Sequence, residues 1–192
     1  MWVRIIVPNW GFRVAIYGDT SLSGAPENGR GCVFVHVLND TGKWIEQAKL
    51  VALDGSVRDS FEYSVGIHGD TAIVGAYGDD DNGPASGSVH VFVRNYGVWT
   101  HQAKLLYPDG SAGDYFGFSL GIYGDTVIVG ALGNDDNGSN SGSSHLFFPN
   151  GVTWTHQANL LAPDGSAGDQ FGRNVGIYVD AVIVGAPRDD DK

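Results

Sequence analysis

A stretch of 22 residues that returns every 55 positions constrains this chain more than any local propensity does. It reads FEYSVGIHGDTAIVGAYGDDDN from Phe61, FGFSLGIYGDTVIVGALGNDDN from Phe116 and FGRNVGIYVDAVIVGAPRDDDK from Phe171. A degenerate copy, WGFRVAIYGDTSLSGAPEN, starts at Trp10. Between these stretches the repetition continues: Trp99–Gly117 and Trp154–Gly172 agree at 16 of 19 positions. A fixed period of this length marks a repeat architecture, in which one unit cannot bury both its faces and must stack on its neighbours. The units run approximately over residues 10–60, 61–115, 116–170 and 171–192, the last incomplete, all within one domain.

Each unit reads as four short strands. Ser64–Ile67 and Ser119–Ile122 are β-runs that meet Gly69-Asp70 and Gly124-Asp125, as Gly18-Asp19 does in the first copy. Glycine first in a two-residue connection favours a type II′ hairpin. The last copy has Val179-Asp180 there, and a β-branched residue resists positive φ, so that turn should differ or be strained. The return runs, Ala72–Ala76 and Val127–Ala131, are continuously apolar and read as buried on both faces. Gly75, Gly130 and Gly185 within them mark expected close approaches of neighbouring backbones.

A third strand follows an acidic loop: Gly31–Val37, Gly87–Val93 and Gly142–Phe148. The fourth begins at Trp44, Trp99 or Trp154; Trp2 matches them in a strand over 2–8. In Trp99–Leu105 the alternation Trp99, His101, Ala103, Leu105 against Thr100, Gln102, Lys104 predicts one buried and one wet face. A Pro108-Asp109-Gly110 or Pro163-Asp164-Gly165 turn then leads back to the next Phe. No helical periodicity appears anywhere. Four antiparallel strands per unit predict an all-β fold, a β-propeller of four-stranded blades with about 3.5–4 blades, partial or small. Counting strands gives 15. Three arrangements follow: a nearly closed four-bladed ring (the preferred one), part of a larger propeller completed by a second copy, or a piece of a longer protein.

Composition narrows the partners. A net charge of -11 argues against nucleic acid and against anionic membrane as the main partner. No run approaches the roughly 18 apolar residues of a membrane-spanning helix, so no membrane insertion is expected. The N-terminus lacks the apolar core of roughly 7–15 residues that a signal peptide carries. Cys32 is the only cysteine, which leaves no intrachain disulfide.

Phe116-Gly117 and Phe171-Gly172, followed by Gly130-Ala131 and Gly185-Ala186-Pro187, resemble FG-GAP repeats, as in the β-propeller of integrin α subunits. Gly24-Ala25-Pro26 matches the same element in the first copy. The fuller pattern is similar to the non-integrin FG-GAP proteins of microbes and algae. The resemblance implies propeller blades, an adhesion or recognition role at an extracellular or cell-surface location, and no enzymatic activity. Integrin-type repeats also carry a DxDxDGxxD calcium loop before the φVGAP strand. Only the Gly-Asp turn stands there in this chain, so that calcium site is not carried over.

The acidic loops are the main candidate site. Asp79-Asp80-Asp81-Asn82-Gly83 recurs as Asn134-Asp135-Asp136-Asn137-Gly138 and begins again at Asp189-Asp190-Asp191, while the first copy has the shorter Glu27-Asn28-Gly29. Calcium takes about six to eight oxygen ligands. Asp79, Asp81, Asn82, Asn134, Asp136, Asn137, Asp189 and Asp191 are the candidate ligands. Asp80, Asp135 and Asp190 would add to an acidic rim for binding. The competing and preferred reading is a polar turn with Asx-type hydrogen bonds, since no bidentate carboxylate closes the loop downstream. No cofactor is therefore expected with certainty, and calcium is the one to test.

Catalytic constellations are not legible. His90, His145, His101 and His156 recur at packing positions, and a triad needs unique residues converging on one site. The Trp residues read as core rather than sugar platforms. The expected function is a non-catalytic recognition or adhesion module for a protein or glycan ligand. The alternatives are an assembly unit that forms homo-oligomers to complete a propeller, and a polysaccharide-acting enzyme. The latter would need unrepeated polar residues near loop ends, of which Arg58 and Arg173 are the main ones.

Overall fold

Fourteen strands and no helix make up the described part of the chain, residues 13–26 and 30–190 of a computed structural model. The strand read over 2–8, with Trp2 and Trp10, lies outside the described residues, as do Glu27-Asn28-Gly29 and Asp191. Blade one holds β1 (Val14–Tyr17), β2 (Thr20–Ala25), β3 (Cys32–Leu38) and β4 (Trp44–Leu50). Blade two holds β5 (Phe61–His68), β6 (Thr71–Ala76), β7 (Ser88–Asn95) and β8 (Val98–Leu105). Blade three holds β9 (Phe116–Tyr123), β10 (Thr126–Ala131), β11 (Ser143–Asn150) and β12 (Thr153–Leu160). A half-blade of β13 (Asn174–Tyr178) and β14 (Ala181–Gly185) follows. Each sheet is an antiparallel meander in chain order, so the described strands form a partial β-propeller.

The hairpins close as the Gly-Asp chemistry demands. Tyr17 pairs Thr20, His68 pairs Thr71 and Tyr123 pairs Thr126, with φ near +57 at Gly18, Gly69 and Gly124 and no positive φ at the following Asp. Val179 holds φ 53 in the same turn, so the last hairpin keeps its shape and carries the strain. A left-handed β-branched residue costs about 1–2 kcal/mol.

Blades stack through two apolar layers. Leu22, Val33, Val35 and Leu50 of blade one pack against Phe61, Ala72, Val74 and Phe92 of blade two. Ile73, Val89, Val91 and Leu105 of blade two pack against Phe116, Val127, Val129 and Phe147 of blade three. The motif phenylalanines Phe61 and Phe116 are completely buried, each worth about 1.5–3 kcal/mol. Backbones meet at Gly87 and Phe116, and at Gly142 and Phe171, as isolated parallel bridges. A Cβ at Gly75 would overlap the carbonyl oxygen of Gly117, and one at Gly130 that of Gly172. The close approach expected at those two glycines is therefore present. Gly185 differs: among the described residues only Asn174 of its own hairpin comes near, at 3.7 Å.

The wet face expected on the outer strand is present in β12, where Thr155, Gln157 and Asn159 are exposed, but not along β8 beyond Thr100. Lys104 has only 16% of its side chain exposed, and Gln102 accepts the indole N–H of Trp154 at 2.9 Å. In a propeller both faces of a blade meet neighbours, and β8 also bulges at Gln102, which has no partner on β7. Alternation alone could not separate wet from dry there.

Candidate functional site

Loops β6–β7 and β10–β11 share one backbone scaffold. In the first, Asp79 Oδ1 accepts the N–H of Asp81 at 3.1 Å, and Asp80 Oδ1 accepts that of Ala85 at 2.7 Å. Ser86 Oγ accepts the Asn82 N–H, and the Asn82 amide donates to the carbonyl of Tyr107 at 3.0 Å. The second loop repeats each bond: Asp136 N–H to Asn134 Oδ1, Asn140 N–H to Asp135 Oδ1, Asn137 N–H to Ser141 Oγ, and the Asn137 amide to Ala162 O. These are Asx-type turns tied to the following Pro-Asp-Gly-type connection. Asn82 and Asn137 serve as anchors of the loop.

The two loops part company at their inner edge. Lys104 of β8 places its ammonium 2.8 Å from Asp54 Oδ2, 2.8 Å from Asp79 Oδ2 and 2.7 Å from Asp81 Oδ2. Three N–H donors meet three carboxylates, so the protein's own cation stands where Asp79 and Asp81 converge. Burial pulls the Lys104 pKa down, but the hydrogen bonds it donates to Asp54, Asp79 and Asp81 outweigh it and hold the ammonium protonated above the usual range. Asp79 also accepts the hydroxyl of Ser88 at 3.1 Å and is 4% exposed. In blade three, Asn134 replaces Asp79 and Asn159 replaces Lys104. Asn159 Nδ2 donates to Asp136 Oδ2 at 2.9 Å and to the Tyr107 hydroxyl at 3.3 Å, which itself reaches Asp136 at 3.3 Å. Burial, then the Asp136 charge, raises the Tyr107 pKa to about 12.

Among the described residues, no group of three or more His, Cys, Asp or Glu side chains is arranged to hold a metal ion. Asp80, Asp135 and Asp190 are exposed, as are Asp81, Asp136 and Asp189. The structure thus divides the acidic loops into buried fasteners, Asp79 and Asn134, and an exposed carboxylate rim.

Behind the loops lie the histidines. His90 Nδ1 faces His101 Nε2 at 3.1 Å, and His145 Nδ1 faces His156 Nε2 at 3.3 Å. Ser88 lies 3.4 Å from His90 Nε2, and Ser143 lies 2.8 Å from His145 Nε2. Burial, with Lys104 next, lowers the His90 pKa to about 4, and burial, with His156 next, lowers that of His145 to about 3. The Asp79–Ser88–His90 chain has hydrolase-like members, yet Ser88 is 0% and His90 1% exposed, so no substrate reaches it. Phe61 and Phe116 pack edge-on against these rings at 5.1 and 5.5 Å. The histidines are core groups, as their repetition suggested. Trp99 and Trp154 likewise pack on the two apolar layers and donate to Gln47 and Gln102.

Alternation places Lys104 on a wet face, and no local motif marks Tyr107. The available signal is a paired change: Asp79 and Lys104 become Asn134 and Asn159 together, the second of them within a segment that otherwise agrees closely between the repeats. Asp59, Asp114 and Asp169 recur at one place before each Phe-opened strand. Each is buried and accepts the N–H of the serine three positions earlier, at 2.6, 2.8 and 2.7 Å.

No curated protein matches the chain. The FG-GAP repeat profile matches it three times in succession, over residues 44–92, 99–147 and 154–192. Each match opens at a tryptophan on an outer strand and continues into the next sheet, so the sequence unit straddles two blades and ties them covalently. Matching well over half its length, the chain belongs to the FG-GAP repeat family.

Proposed function

We propose that this chain is a non-catalytic recognition module that binds a protein or glycan ligand through the exposed carboxylates of its acidic loops. Repeats of this family are typically adhesion or ligand-binding modules. The observation that carries the reading is the fixed display of Asp80 and Asp135. One oxygen of each is held by a backbone N–H at 2.7 Å while the residue stays exposed. Carboxylates held in place before contact lose little freedom on binding, so a rim of them suits a basic surface or a ligand bridged by a divalent cation. Calcium belongs to the reading as that bridge, at the rim rather than at Asp79, whose carboxylate is engaged by Lys104 and Ser88.

The test uses glycan and basic-peptide arrays, with and without calcium, probed with the chain and with D80N/D135N/D190N. Binding lost in the triple variant at unchanged melting temperature supports the reading. Binding that survives it, or no binding on either array, overturns it.

A further inference from the structure

Repetition separates scaffold from site on the inner strands as well. Two places after the motif opening stands an aromatic, Tyr63 or Phe118, and a serine follows it, Ser64 or Ser119. The half-blade has Arg173 and Asn174 at those two places, and the first copy has Arg13 at the serine position. A scaffold residue is restated by the repeat. Two basic groups that displace restated residues need another reason.

The fold brings these departures together. Arg13, Ser64, Phe118, Ser119, Arg173 and Asn174 line one open cavity of about 360 Å³ along the inner strands. Small-molecule sites run from about 300 to 1,000 Å³. Tyr63 and Phe118 pack ring to ring at 4.8 Å, with the Arg13 guanidinium 4.7 Å from the first and that of Arg173 5.7 Å from the second. Such contacts orient a guanidinium without neutralising it. Arg173 is half-buried, and its side chain donates one hydrogen bond, to Gln170 Oε1 at 2.7 Å. Among the described residues it enters no ion pair. A guanidinium has five N–H donors, so most of them are left for a ligand. The serines are set the other way: Ser64 Oγ and Ser119 Oγ donate to the carbonyls of Gly117 and Gly172, each at 2.7 Å, which leaves them acceptors only. The exposed Asn174 amide offers both kinds of group.

We propose that this cavity binds a uronic acid sugar, with its carboxylate on Arg173 and its hydroxyls on Ser64, Ser119 and Asn174. Guanidinium matches a carboxylate through parallel N–H donors, the serine oxygens accept from sugar O–H groups, and the Phe118 ring gives an apolar wall. Charge limits the occupant further. A net charge of -11 repels an extended polyanion, whereas a small ring with one carboxylate meets the local positive charge alone. An acidic peptide offers the carboxylate but not the ring of donors that the serines accept. The lining faces along the inner strands, so it does not depend on what flanks the outermost sheets. None of these residues belongs to the acidic loops, and the site stands apart from the recognition reading.

Ligand-observed NMR titrations with glucuronate test it, beside methyl glucoside, acetate and a tri-glutamate peptide, on the chain, R173Q and N174D. Glucuronate should bind with a Kd of about 1 mM, about tenfold tighter than each of the other three. R173Q removes the donor fork and N174D sets a carboxylate against that of the ligand, so each should weaken glucuronate about tenfold. Asn174 is exposed, so N174D should melt with the parent and tests the site even where R173Q is destabilised. D80N/D135N/D190N should bind glucuronate as the parent does, which separates this cavity from the acidic rim. Glucuronate that does not bind, acetate, methyl glucoside or the peptide binding as tightly, or a folded variant that binds like the parent would each overturn the proposal.

Discussion

The second and third blades fasten the same loop in two ways. Blade two uses an ion cluster, Lys104 with Asp54, Asp79 and Asp81, while blade three uses an amide and a phenol, Asn159 and Tyr107, on Asp136. Loop backbones and anchors are otherwise alike. Loop shape is therefore set by the Asx turns and the Asn82 and Asn137 anchors, and the charge cluster is one of two interchangeable ways to finish it. What differs is vulnerability. A buried carboxylate that loses its counter-ion is costly, whereas an exposed amide lost from a polar edge is cheap.

The largest break in the comparison comes from removing the ammonium. Lys104→Met strands Asp79, whose side chain is 6% exposed, beside Asp81, and should cost about 3–5 kcal/mol in chemical denaturation. Asn159→Ala, at the matching position, should cost about 1 kcal/mol or less. Installing the blade-three solution in blade two, D79N/K104N, should recover most of the loss, and adding A52Y should supply the missing phenol. If K104M and N159A cost the same, or D79N/K104N is no better than K104M, the ion cluster is not what fastens the loop.

Acid should separate the blades next. His90 and His145 have pKa values of about 4 and about 3 in the fold, below the 6.5 of a free imidazole. Above pH 6.5 both folded and unfolded chains are neutral at these sites. As pH falls below that, the unfolded chain takes up protons that the folded chain refuses, so stability drops until the folded values are reached. For His90 the loss amounts to roughly 3 kcal/mol. His90→Phe, which installs the residue found at the equivalent Phe34, should flatten the slope of unfolding free energy against pH between 6.5 and 4. His145→Phe should flatten it as well but cost more at neutral pH. Ser88 keeps Asp79 as an acceptor when His90 goes, whereas Ser143 loses the 2.8 Å partner it has in His145. An unchanged slope in both variants would assign the acid sensitivity to other groups.

How far the sequence could be read follows the same division. The hairpins, the Gly-Ala step and the glycines at Gly75 and Gly130 were legible because each depends on a local backbone requirement that the repeat restates. Lys104 was not. Two-residue alternation assigns it to solvent, and the acidic loop of its own blade together with the Asp54 turn removes it from water. The acidic loop invited a calcium reading because carboxylate spacing looks the same whether the cation is an ion or a lysine eight strands into the chain. Gly185, read like its equivalents, has only Asn174 of its own hairpin near it among the described residues.

The smallest effect asks whether the cluster in blade two is a three-fold device or a buried pair with a spectator. Asp54 is the most open of its carboxylates, with 55% of its side chain exposed, and its hydrogen bond from Lys104 lowers its pKa. Solvent screens such a partner, so Asp54→Ala should cost about 0.5 kcal/mol at low salt and nothing measurable at high salt. Asp109 holds the same place in blade three, where Asn159 stands in for the lysine, and Asp109→Ala should be neutral at any salt. Denaturation at two ionic strengths decides between the two pictures. A salt-insensitive loss at Asp54 would mean that the carboxylate shapes the turn rather than the charge, and equal losses at Asp54 and Asp109 would erase the difference between the blades at this edge. With Asp54 peripheral, the fastening reduces to Lys104 held between Asp79 and Asp81, and the change to Asn134 and Asn159 removes one buried charge of each sign together.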